Sequence, residues 1–498
     1  MWIKKQIRAA IIHEEALDAH FTSGRDTIPV LYICITPLLS AHNPMNKRPE
    51  LLSPAGTLKN MRYALAYGAD AVYAGQPRYS LRARNNDFDL ANLKIGIDEA
   101  HALGKKLFVA SNISPHNTKI ATYMKDMAPV IAMRPDALIM ADPGLIMMVR
   151  ERWPEMPIHL SVQANTVNYA TVQFWHSLGI ERVILSRELS LDEIAEIRQQ
   201  CPDTELEVFV HGALCIAYSG RCLLSGYFNH RDPNQGTCTN SCRWDYKVSS
   251  ATEDATGNLQ IATPVKVAAP TTGNAACGGA PRHPAANQPV LIEEPGRPGE
   301  LMAMEEDEHG TYIMNSKDLR AVEHVQQLVE IGIDCLKIEG RTKSHYYAAR
   351  TAQVYRQAID DAVDDKVFDP QLLGVLEGLA NRGYTDGFYE RHHSHETQNY
   401  LAGHSRSSKQ QFVGEIIRID KKRGLAEVDV KNKFSVGDTL QLIHPSGNRD
   451  VVLSQMSNLK NEPMDVAPGS GHQVLIPWKT QGDAQNPDEL GLLARYLV

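Results

Sequence analysis

The 498-residue sequence lacks several patterns that would assign it to a common class of protein. No apolar run reaches the roughly 18 residues that a membrane-spanning helix needs, so no membrane association is predicted. Neither H-E-x-x-H nor G-x-S-x-G occurs, so zinc-protease and serine-hydrolase chemistry have no recognisable motif here. The net charge is −8, and therefore no overall basic field would attract nucleic acid. A nucleic-acid substrate would have to bind through a local basic patch.

The N-terminal region also lacks the order of a secretory signal peptide. Its apolar run, Val30 to Ala41, follows four acidic residues, whereas a signal peptide passes directly from basic residues into its apolar core. We interpret residues 1–48 as an N-terminal extension that is either disordered or absent from the native protein, because a sequence resembling a natural start begins at about Met45. The expected compartment is the reducing cytoplasm, where thiols and metal clusters persist.

Four of the eight cysteines fall within one short segment that follows a predicted strand. Six, fifteen and three residues separate them, and they are Cys215, Cys222, Cys238 and Cys242. Disulfides fit poorly, because nothing suggests a secreted scaffold and the chain is too large to need such cross-links. Structural zinc ligands usually pair two to four residues apart, whereas an iron–sulfur cluster tolerates wider spacing. The spacing favours a cluster, with zinc or unligated thiols as alternatives.

From Glu50 onward, short apolar segments alternate with longer helical ones, which is typical of parallel β/α units. The predicted strands are Glu50–Ser53, Ala69–Tyr73, Lys106–Ser111, Ala137–Ala141, Ile158–Ser161, Arg182–Leu185, Leu206–Val210, Thr311–Met314 and Cys335–Ile338. Helices are predicted over Leu58–Tyr67, over Leu191–Gln200 behind a Ser190/Glu193 capping box, and over Ser344–Val363. The pattern predicts an α/β fold, a (β/α)8-like barrel over residues 49–400; a doubly wound open sheet is the alternative.

Two changes of composition divide the remaining chain. Ser249 to Gly299 is rich in Ala, Pro, Gly and Thr and lacks apolar periodicity, which predicts a flexible insertion at about 249–299. Cys277 within it is interpreted as incidental, or alternatively as a cluster ligand in place of Cys242. After a polar linker, alternating apolar residues predict a small C-terminal antiparallel β-barrel at about 410–490, of a kind that binds RNA or docks on the main domain.

In a β/α barrel the active site lies at the C-terminal ends of the strands. The residues at these predicted ends are polar: Ser53, Asn112, Asp142, Gln163, Asn165, Arg187, His211, Asn315, Lys337 and Glu339. Cys215 follows the Leu206–Val210 strand by five residues, so the cysteine site is expected over the same opening. Asp142 has a simpler interpretation as a turn residue, and His211 as a structural histidine.

Four residues are the candidate catalytic set: His211, Lys337, Glu339 and Arg341. Lys337 and Glu339 share one face of a strand and form either an ion pair or part of the site. Arg341, Lys343 and Arg350 with Tyr346 and Tyr347 form a basic and aromatic cluster, either an RNA-binding surface or a solvated helix face.

Several of these motifs resemble one known family. They are the spaced residues Glu207, Phe209, Gly212, Cys215, Gly220, Cys222 and Ser225, the stretch from Glu50 to Phe88, and the run Leu336 to Arg341. They are similar to motifs of the collagenase-like peptidase family U32, and the resemblance covers the chain from about Pro49 to the C-terminal region. It implies that Cys215, Cys222, Cys238 and Cys242 hold a 4Fe-4S cluster.

The resemblance also implies a reaction: hydroxylation of uridine at the wobble position of tRNA to 5-hydroxyuridine, with prephenate as the oxygen donor. The partners would be the tRNA anticodon loop, this small-molecule donor and an electron-transfer protein. Arg187, Lys337 and Arg341 would bind the dicarboxylate. We expect Lys337→Ala and Arg341→Ala to keep the fold and lose activity. A peptidase, or an RNA-binding module with structural zinc, is the alternative function.

Overall fold

The computed structural model describes residues 47–76, 78–81, 86–214, 247–253, 259–261, 290–293, 301–304, 306–307, 310–311, 317–381, 383–390, 410–479 and 488–497. Several features predicted from the sequence lie outside the described residues: the extension up to residue 46, the four clustered cysteines, Cys277 and Asn315. None of the helices in the described ranges is both long and apolar enough to cross a membrane.

Seven strands alternate with six helices in the first half of the chain. The strands are β1 (Glu50–Ala55), β2 (Ala71–Gly75), β3 (Lys106–Ser111), β4 (Ala137–Met140), β5 (Ile158–Leu160), β6 (Arg182–Ile184) and β7 (Glu205–Ala213). The helices are α1 (Leu58–Ala66), α2 (Leu90–Ala102), α3 (Asn117–Ala132), α4 (Pro143–Arg152), α5 (Tyr169–Ser177) and α6 (Leu191–Gln200). Each strand pairs in parallel with the next. The strands are buried on both faces, as parallel strands covered by helices must be.

Local sequence sets where these helices begin. Five of the six start behind a side chain that accepts a hydrogen bond from the third helical backbone N–H, which satisfies a group that the helix leaves unpaired. At α6 the predicted capping box is confirmed: Ser190 accepts from the Glu193 backbone, and the Glu193 carboxylate accepts from the Ser190 backbone at 2.9 Å.

A group of short strands follows β7. These are β8 (Lys247–Glu253), β9 (Leu259–Ile261), β10 (Val290–Glu293) and β11 (Leu301–Met304), all antiparallel, and the pair β12 (Glu306–Asp307) and β13 (Gly310–Thr311). Parts of the predicted insertion 249–299 therefore form strands. The apolar periodicity of the sequence did not predict these strands, because such short strands depend on pairing with distant segments. The predicted barrel strand Thr311–Met314 is also wrong at Thr311, which pairs in β13 with β12 instead.

The chain then returns and closes the barrel. The elements are β14 (Asp318–Arg320), α7 (Val325–Ile331), β15 (Cys335–Ile338), α8 (His345–Val363), α9 (Gln371–Glu377) and β16 (Tyr384–Thr385). Strand β15 pairs in parallel with both β1 and β7, and Cys335 lies opposite Glu50 on one side and Glu207 on the other. Eight parallel strands thus form a closed barrel, which confirms the predicted fold and rules out the open sheet.

The C-terminal region forms a separate antiparallel sheet. Its strands are β17 (Gln410–Asp420), β18 (Leu425–Val430), β19 (Phe434–Ser435), β20 (Thr439–Ile443), β21 (Arg449–Val452), β22 (Val466–Ala467), β23 (Gln473–Pro477) and β24 (Leu492–Tyr496). Six of them run in the order β21-β20-β24-β17-β18-β23, around a core of their own. Within the described residues the two outer strands do not pair, so the sheet is a half-barrel.

The barrel interior contains a buried network of charges. Glu207 on β7 is fully buried; its Oε1 accepts a hydrogen bond of 2.7 Å from Lys337 Nζ, and its Oε2 lies 3.4 Å from Arg182 Nη1. Arg182 also pairs with Glu50 and Glu205, each at 2.7 Å. Burial lowers the pKa of Lys337, although the Glu207 carboxylate favours its charged form. Each of these charges therefore depends on its partner.

The C-terminal sheet packs against the barrel around a second buried carboxylate, Glu415 on β17. Lys59 Nζ donates to it at 2.6 Å, His345 Nε2 lies 2.7 Å away, and Lys431 Nζ lies at 3.2 Å. Burial favours the neutral carboxyl, but His345 and Lys59 outweigh it and lower the pKa of Glu415. Since Lys59 and His345 belong to α1 and α8, this cluster joins the two domains.

Replacing Lys337 with Ala is expected to lower the free energy of unfolding by about 3 kcal/mol or more, because the buried Glu207 loses its nearest cation. This revises the expectation from sequence that the variant keeps an intact fold. Urea denaturation measures the change. The double variant Lys337→Met/Glu207→Gln removes both charges and should recover part of the stability, whereas a Lys337→Ala protein as stable as wild type would contradict the interpretation.

Replacing Glu415 with Gln is expected to destabilise the protein by about 1–3 kcal/mol at neutral pH, because the charged hydrogen bond from Lys59 and the close contact with His345 Nε2 are weakened. The folded-state pKa of Glu415 is lowered, so its stabilisation exists above the unfolded value of about 4.3 and disappears as the pH falls below it. Denaturation between pH 3 and 7 should show the two proteins converging in acid. Glu427→Gln, whose partner Arg418 is exposed, is the matched control and should change little.

Candidate active site at the barrel mouth

Three of the four predicted catalytic residues converge on Tyr73 of β2. Lys337 Nζ lies 4.5 Å from the Tyr73 ring centroid, and the Arg341 guanidinium carbon lies 5.8 Å from it. The Tyr73 hydroxyl donates to Glu339 Oε2 at 3.0 Å. Because Lys337 lies within β15 and the other two follow its C-terminal end, this group occupies the mouth of the barrel, where β/α enzymes carry their active sites.

Lys337 is in an ion pair, as one interpretation predicted, but its partner is Glu207. Its position two residues before Glu339 on the strand indicated a shared face, and both do contact Tyr73. With its charge matched by Glu207, Lys337 contributes mainly to the stability of the barrel.

Arg341 is oriented by the segment after β2. Its Nη1 donates to Ser80 Oγ at 2.6 Å and its Nη2 donates to the Leu81 carbonyl oxygen. A Cβ atom at Gly75, the last residue of β2, would overlap the guanidinium, so only glycine leaves room for Arg341 there. The side chain is 7% exposed, which makes it a fixed component of the mouth and not a solvated surface cation.

His211 does not face the mouth. In β7 Phe209 lies opposite Lys337 but His211 lies opposite Ile338, so one extra residue turns His211 to the outer face of the barrel. There its Nδ1 lies 3.3 Å from the hydroxyl of Tyr355 on α8. Burial lowers its pKa to about 3, so the imidazole is neutral. This placement favours a structural over a catalytic role for His211.

Polar residues from other strand ends form a connected part of the rim. The Asn112 side-chain amide donates to Gln163 Oε1 at 2.9 Å and to Ser161 Oγ at 3.2 Å. Its carbonyl oxygen accepts from the backbone N–H of Leu81, the residue that also holds Arg341. Arg187 lies over the Phe209 ring, 3.8 Å from its centroid.

Asp142, in contrast, caps a helix. Its Oδ1 accepts from the Leu145 backbone N–H at 2.9 Å at the start of α4, which confirms the turn interpretation.

Two of the five members of the predicted basic and aromatic cluster, Tyr346 and Arg350 on α8, are covered by the C-terminal sheet. Tyr346 stacks on Phe412 of β17 with 4.5 Å between ring centroids. Arg350 is 1% exposed and donates to Gln441 on β20 at 3.2 Å. Both interpretations from sequence, an RNA-binding surface and a solvated face, are therefore wrong for Tyr346 and Arg350. The spacing showed a helix face but not that a domain distant in sequence covers it.

Sequence reasoning did not assign site roles to Tyr73, Ser80 or Glu207. A signal existed for Glu207, since it is a single carboxylate inside an otherwise apolar strand interior, and such a charge requires a partner. Tyr73 had no comparable signal, because a tyrosine in a buried strand is ordinary.

The chain leaves the barrel beside this mouth before the cysteine segment, and it returns to the barrel at β14. The described chain stops at Leu214, directly after β7, and Asp318 of β14 pairs with Ala213 when the chain returns. The backbone N–H of Glu339 donates to the His211 carbonyl at 2.8 Å, which places this point next to the β15 exit. By residue type, four cysteine thiolates suit either an iron–sulfur cluster or zinc.

Comparison with known proteins shows close relatives. The chain is 63% identical over 433 residues to tRNA hydroxylation protein P of Escherichia coli, covering 86% of this chain and 94% of the relative. It is 62% identical over 437 residues to the Haemophilus influenzae protein of the same name, covering 86% and 93%. A Porphyromonas gingivalis protein named collagenase is 25% identical over 448 residues, covering 86% and 94%.

Two family models match in sequence order. The model of the Peptidase family U32 C-terminal domain matches residues 408–487, over the antiparallel half-barrel. The model of Peptidase family U32 matches residues 56–399, which span the barrel after β1, the mouth and the cysteine segment. The chain therefore belongs to peptidase family U32.

Proposed function

We propose that this chain is a cytoplasmic enzyme that hydroxylates tRNA, forming 5-hydroxyuridine at the wobble position of the anticodon loop. The observation that carries the proposal is the 63% identity to tRNA hydroxylation protein P, which extends over 94% of that relative. The wobble base is unpaired, so it can enter a pocket at the barrel mouth without breaking base pairs.

The proposed cofactor is a 4Fe-4S cluster held by Cys215, Cys222, Cys238 and Cys242. Supporting this, the segment that carries them is joined at both ends to the rim of the mouth, through Leu214 and β14. When bound, such a cluster supplies electron transfer, with an electron-transfer partner protein as its source of electrons.

The chain's own residues have proposed roles at the mouth. Hydroxylation replaces the hydrogen on uridine C5 with a hydroxyl group, which is a two-electron oxidation of the base, so the proposed oxygen donor is the oxidant and is itself reduced. The C5 proton leaves to a base, and Glu339 presents a carboxylate there that Tyr73 orients. Prephenate, the proposed oxygen donor, carries two carboxylates. Arg341 and Arg187 are suited to bind them, because a guanidinium pairs with a carboxylate in a bidentate manner. The charge of Lys337 is matched by Glu207, so Lys337 acts as a positioning residue below Glu339 and Arg341 and not as a ligand of the donor.

A peptidase reaction is supported less well. It would pair a Cys215 nucleophile with His211, but that histidine is buried against α8 on the outer face of the barrel. A nucleophile at the mouth would have no imidazole base from this residue. The collagenase relative shares only 25% identity.

Replacing any one of Cys215, Cys222, Cys238 and Cys242 with Ala is expected to remove the brown colour and the four iron and four sulfide per chain that a 4Fe-4S cluster contains. These variants should also fail to restore 5-hydroxyuridine to tRNA in a deletion strain, measured by nucleoside analysis. Cys201→Ala is the matched control, because Cys201 is a buried residue directly after α6 and its replacement should not affect the cluster.

A colourless protein with one zinc would support the structural-zinc alternative. Loss of the cluster in Cys277→Ser but not in Cys242→Ser would reassign the fourth ligand.

Replacing Arg341 with Ala is expected to reduce tRNA hydroxylation by roughly ten- to a hundred-fold, through loss of a charged hydrogen bond to the donor. Iron content should stay at the wild-type level. Arg341→Lys keeps the charge but not the two-pronged contact, so it should recover only part of the activity. Arg62→Ala, on the exposed face of α1, is the matched control. Full activity in Arg341→Ala would remove this residue from the site, and gelatin cleavage by cluster-free protein would favour the peptidase.

A further inference from the structure

We propose that the barrel domain holds a divalent metal ion in a side pocket formed by His324, Asp386 and Glu390. His324 ends a 3₁₀ turn (Val322–His324) that leads into α7, whereas Asp386 and Glu390 come after β16, about sixty residues later in the sequence. One potential ligand atom from each of the three side chains lies within 4.8 Å of the others. The pocket shares none of its lining residues with the mouth group around Tyr73.

The spacing of the ligand atoms fits a shared ion better than a direct hydrogen bond. His324 Nε2 lies 3.8 Å from Asp386 Oδ2. A hydrogen bond between a nitrogen and an oxygen spans about 2.7–3.2 Å. Two ligand atoms that each lie about 2.1 Å from one metal ion are about 3.4 Å apart at a tetrahedral angle and about 3.8 Å apart at an angle of about 130°. The observed separation therefore leaves room for an ion between them.

His324 is oriented in the way that a metal-binding histidine is. Its side chain is largely buried, and its ring packs edge-on against Tyr389 with 5.8 Å between centroids. Its Nδ1 lies 3.2 Å from Gln327 Oε1, which accepts the ring N–H. Metal-binding imidazoles commonly donate their second N–H to such an oxygen, which fixes the tautomer and directs the other nitrogen at the metal. Here that other nitrogen is Nε2, on the Asp386 side.

The surrounding pocket is acidic and open to water. It has a volume of about 790 Å³, and its lining includes the carboxylates of Glu323 and Glu330 besides the two proposed ligands. Among the described residues, Arg320 is the only Lys or Arg in that lining, and it lies 3.6 Å from Glu323 and 3.6 Å from Glu377. The field therefore attracts a cation, and the space allows water to complete its coordination.

The donor set selects the class of metal. One imidazole and two carboxylates suit Mn²⁺, Fe²⁺ or Zn²⁺, whereas Mg²⁺ and Ca²⁺ prefer oxygen ligands alone. Such an ion would connect the turn before α7 to the segment that ends at Glu390, where the described part of the barrel domain ends. Its role would be to hold this segment against the barrel, independently of the reaction at the mouth.

Titration of the purified full-length protein with Mn²⁺ tests the proposal, with the loss of the electron paramagnetic resonance signal of free Mn²⁺ as the readout. Mn²⁺ prefers oxygen and nitrogen to thiolate ligands, so the four clustered cysteines do not compete for it. We expect one bound Mn²⁺ per chain. His324→Asn and Glu390→Gln should each weaken binding at least tenfold, and Gln327→Leu, which removes only the orienting acceptor, by about tenfold.

Glu323→Gln is the matched control, because it removes one negative charge from the same pocket without removing a proposed ligand. Its Mn²⁺ affinity should stay close to the wild-type value, and Mn²⁺ should raise the melting temperature of both proteins but not of Glu390→Gln. Glu390 is exposed, so its replacement should leave the metal-free protein folded. Equal Mn²⁺ affinity in wild type, His324→Asn and Glu390→Gln would overturn the proposal, and so would the absence of saturable binding.

Discussion

The ion pair between Glu207 and Lys337 is the interaction on which the arrangement of this barrel depends. The two residues are 130 positions apart and belong to β7 and β15, the strands whose pairing closes the barrel. A fully buried carboxylate is tolerated only when a cation lies close to it, so the pair favours one register between these strands over a shifted one. Because Glu339 and Arg341 come directly after β15, that register also determines where they emerge at the mouth.

The charged residues of the barrel form two groups, one in the interior around this ion pair and one at the mouth. In the interior, the Glu207 carboxylate pairs with Lys337 and Arg182, and Arg182 also pairs with Glu50 and Glu205. At the mouth, Arg341 donates hydrogen bonds to Ser80 and Leu81, and Tyr73 donates one to Glu339, and these contacts orient the two charged side chains. The interior therefore carries the stability, and the mouth carries the groups suited to chemistry.

Much of the fold could be predicted from sequence, and the failures have physical causes. Strands Lys106–Ser111 and Cys335–Ile338 have their predicted bounds, because short apolar runs between polar turns mark buried strands locally. The direction of His211 could not be predicted, since one extra residue in β7 reverses the face on which the next side chains lie, and its effect appears only in the pairing with β15. The pairing of Lys337 with Glu207 could not be predicted either, because the two residues are 130 positions apart in the sequence. At the mouth, the sequence predicted that Glu339 and Arg341 lie close together, but not that Tyr73 and Ser80 are their hydrogen-bond partners.

The family name and the proposed chemistry differ, and the topology explains how both can occur on one fold. The barrel strands and the β15 exit provide a mouth with fixed cations and a carboxylate, and such a mouth does not specify a reaction by itself. The cysteines enter as a single excursion between Leu214 and β14, attached beside the mouth but outside the eight barrel strands. A change within that excursion would leave the buried pairs of the barrel intact, because none of Glu207, Lys337 and Arg182 lies in it. Chemistry can therefore diverge within this family without loss of the interactions that close the barrel.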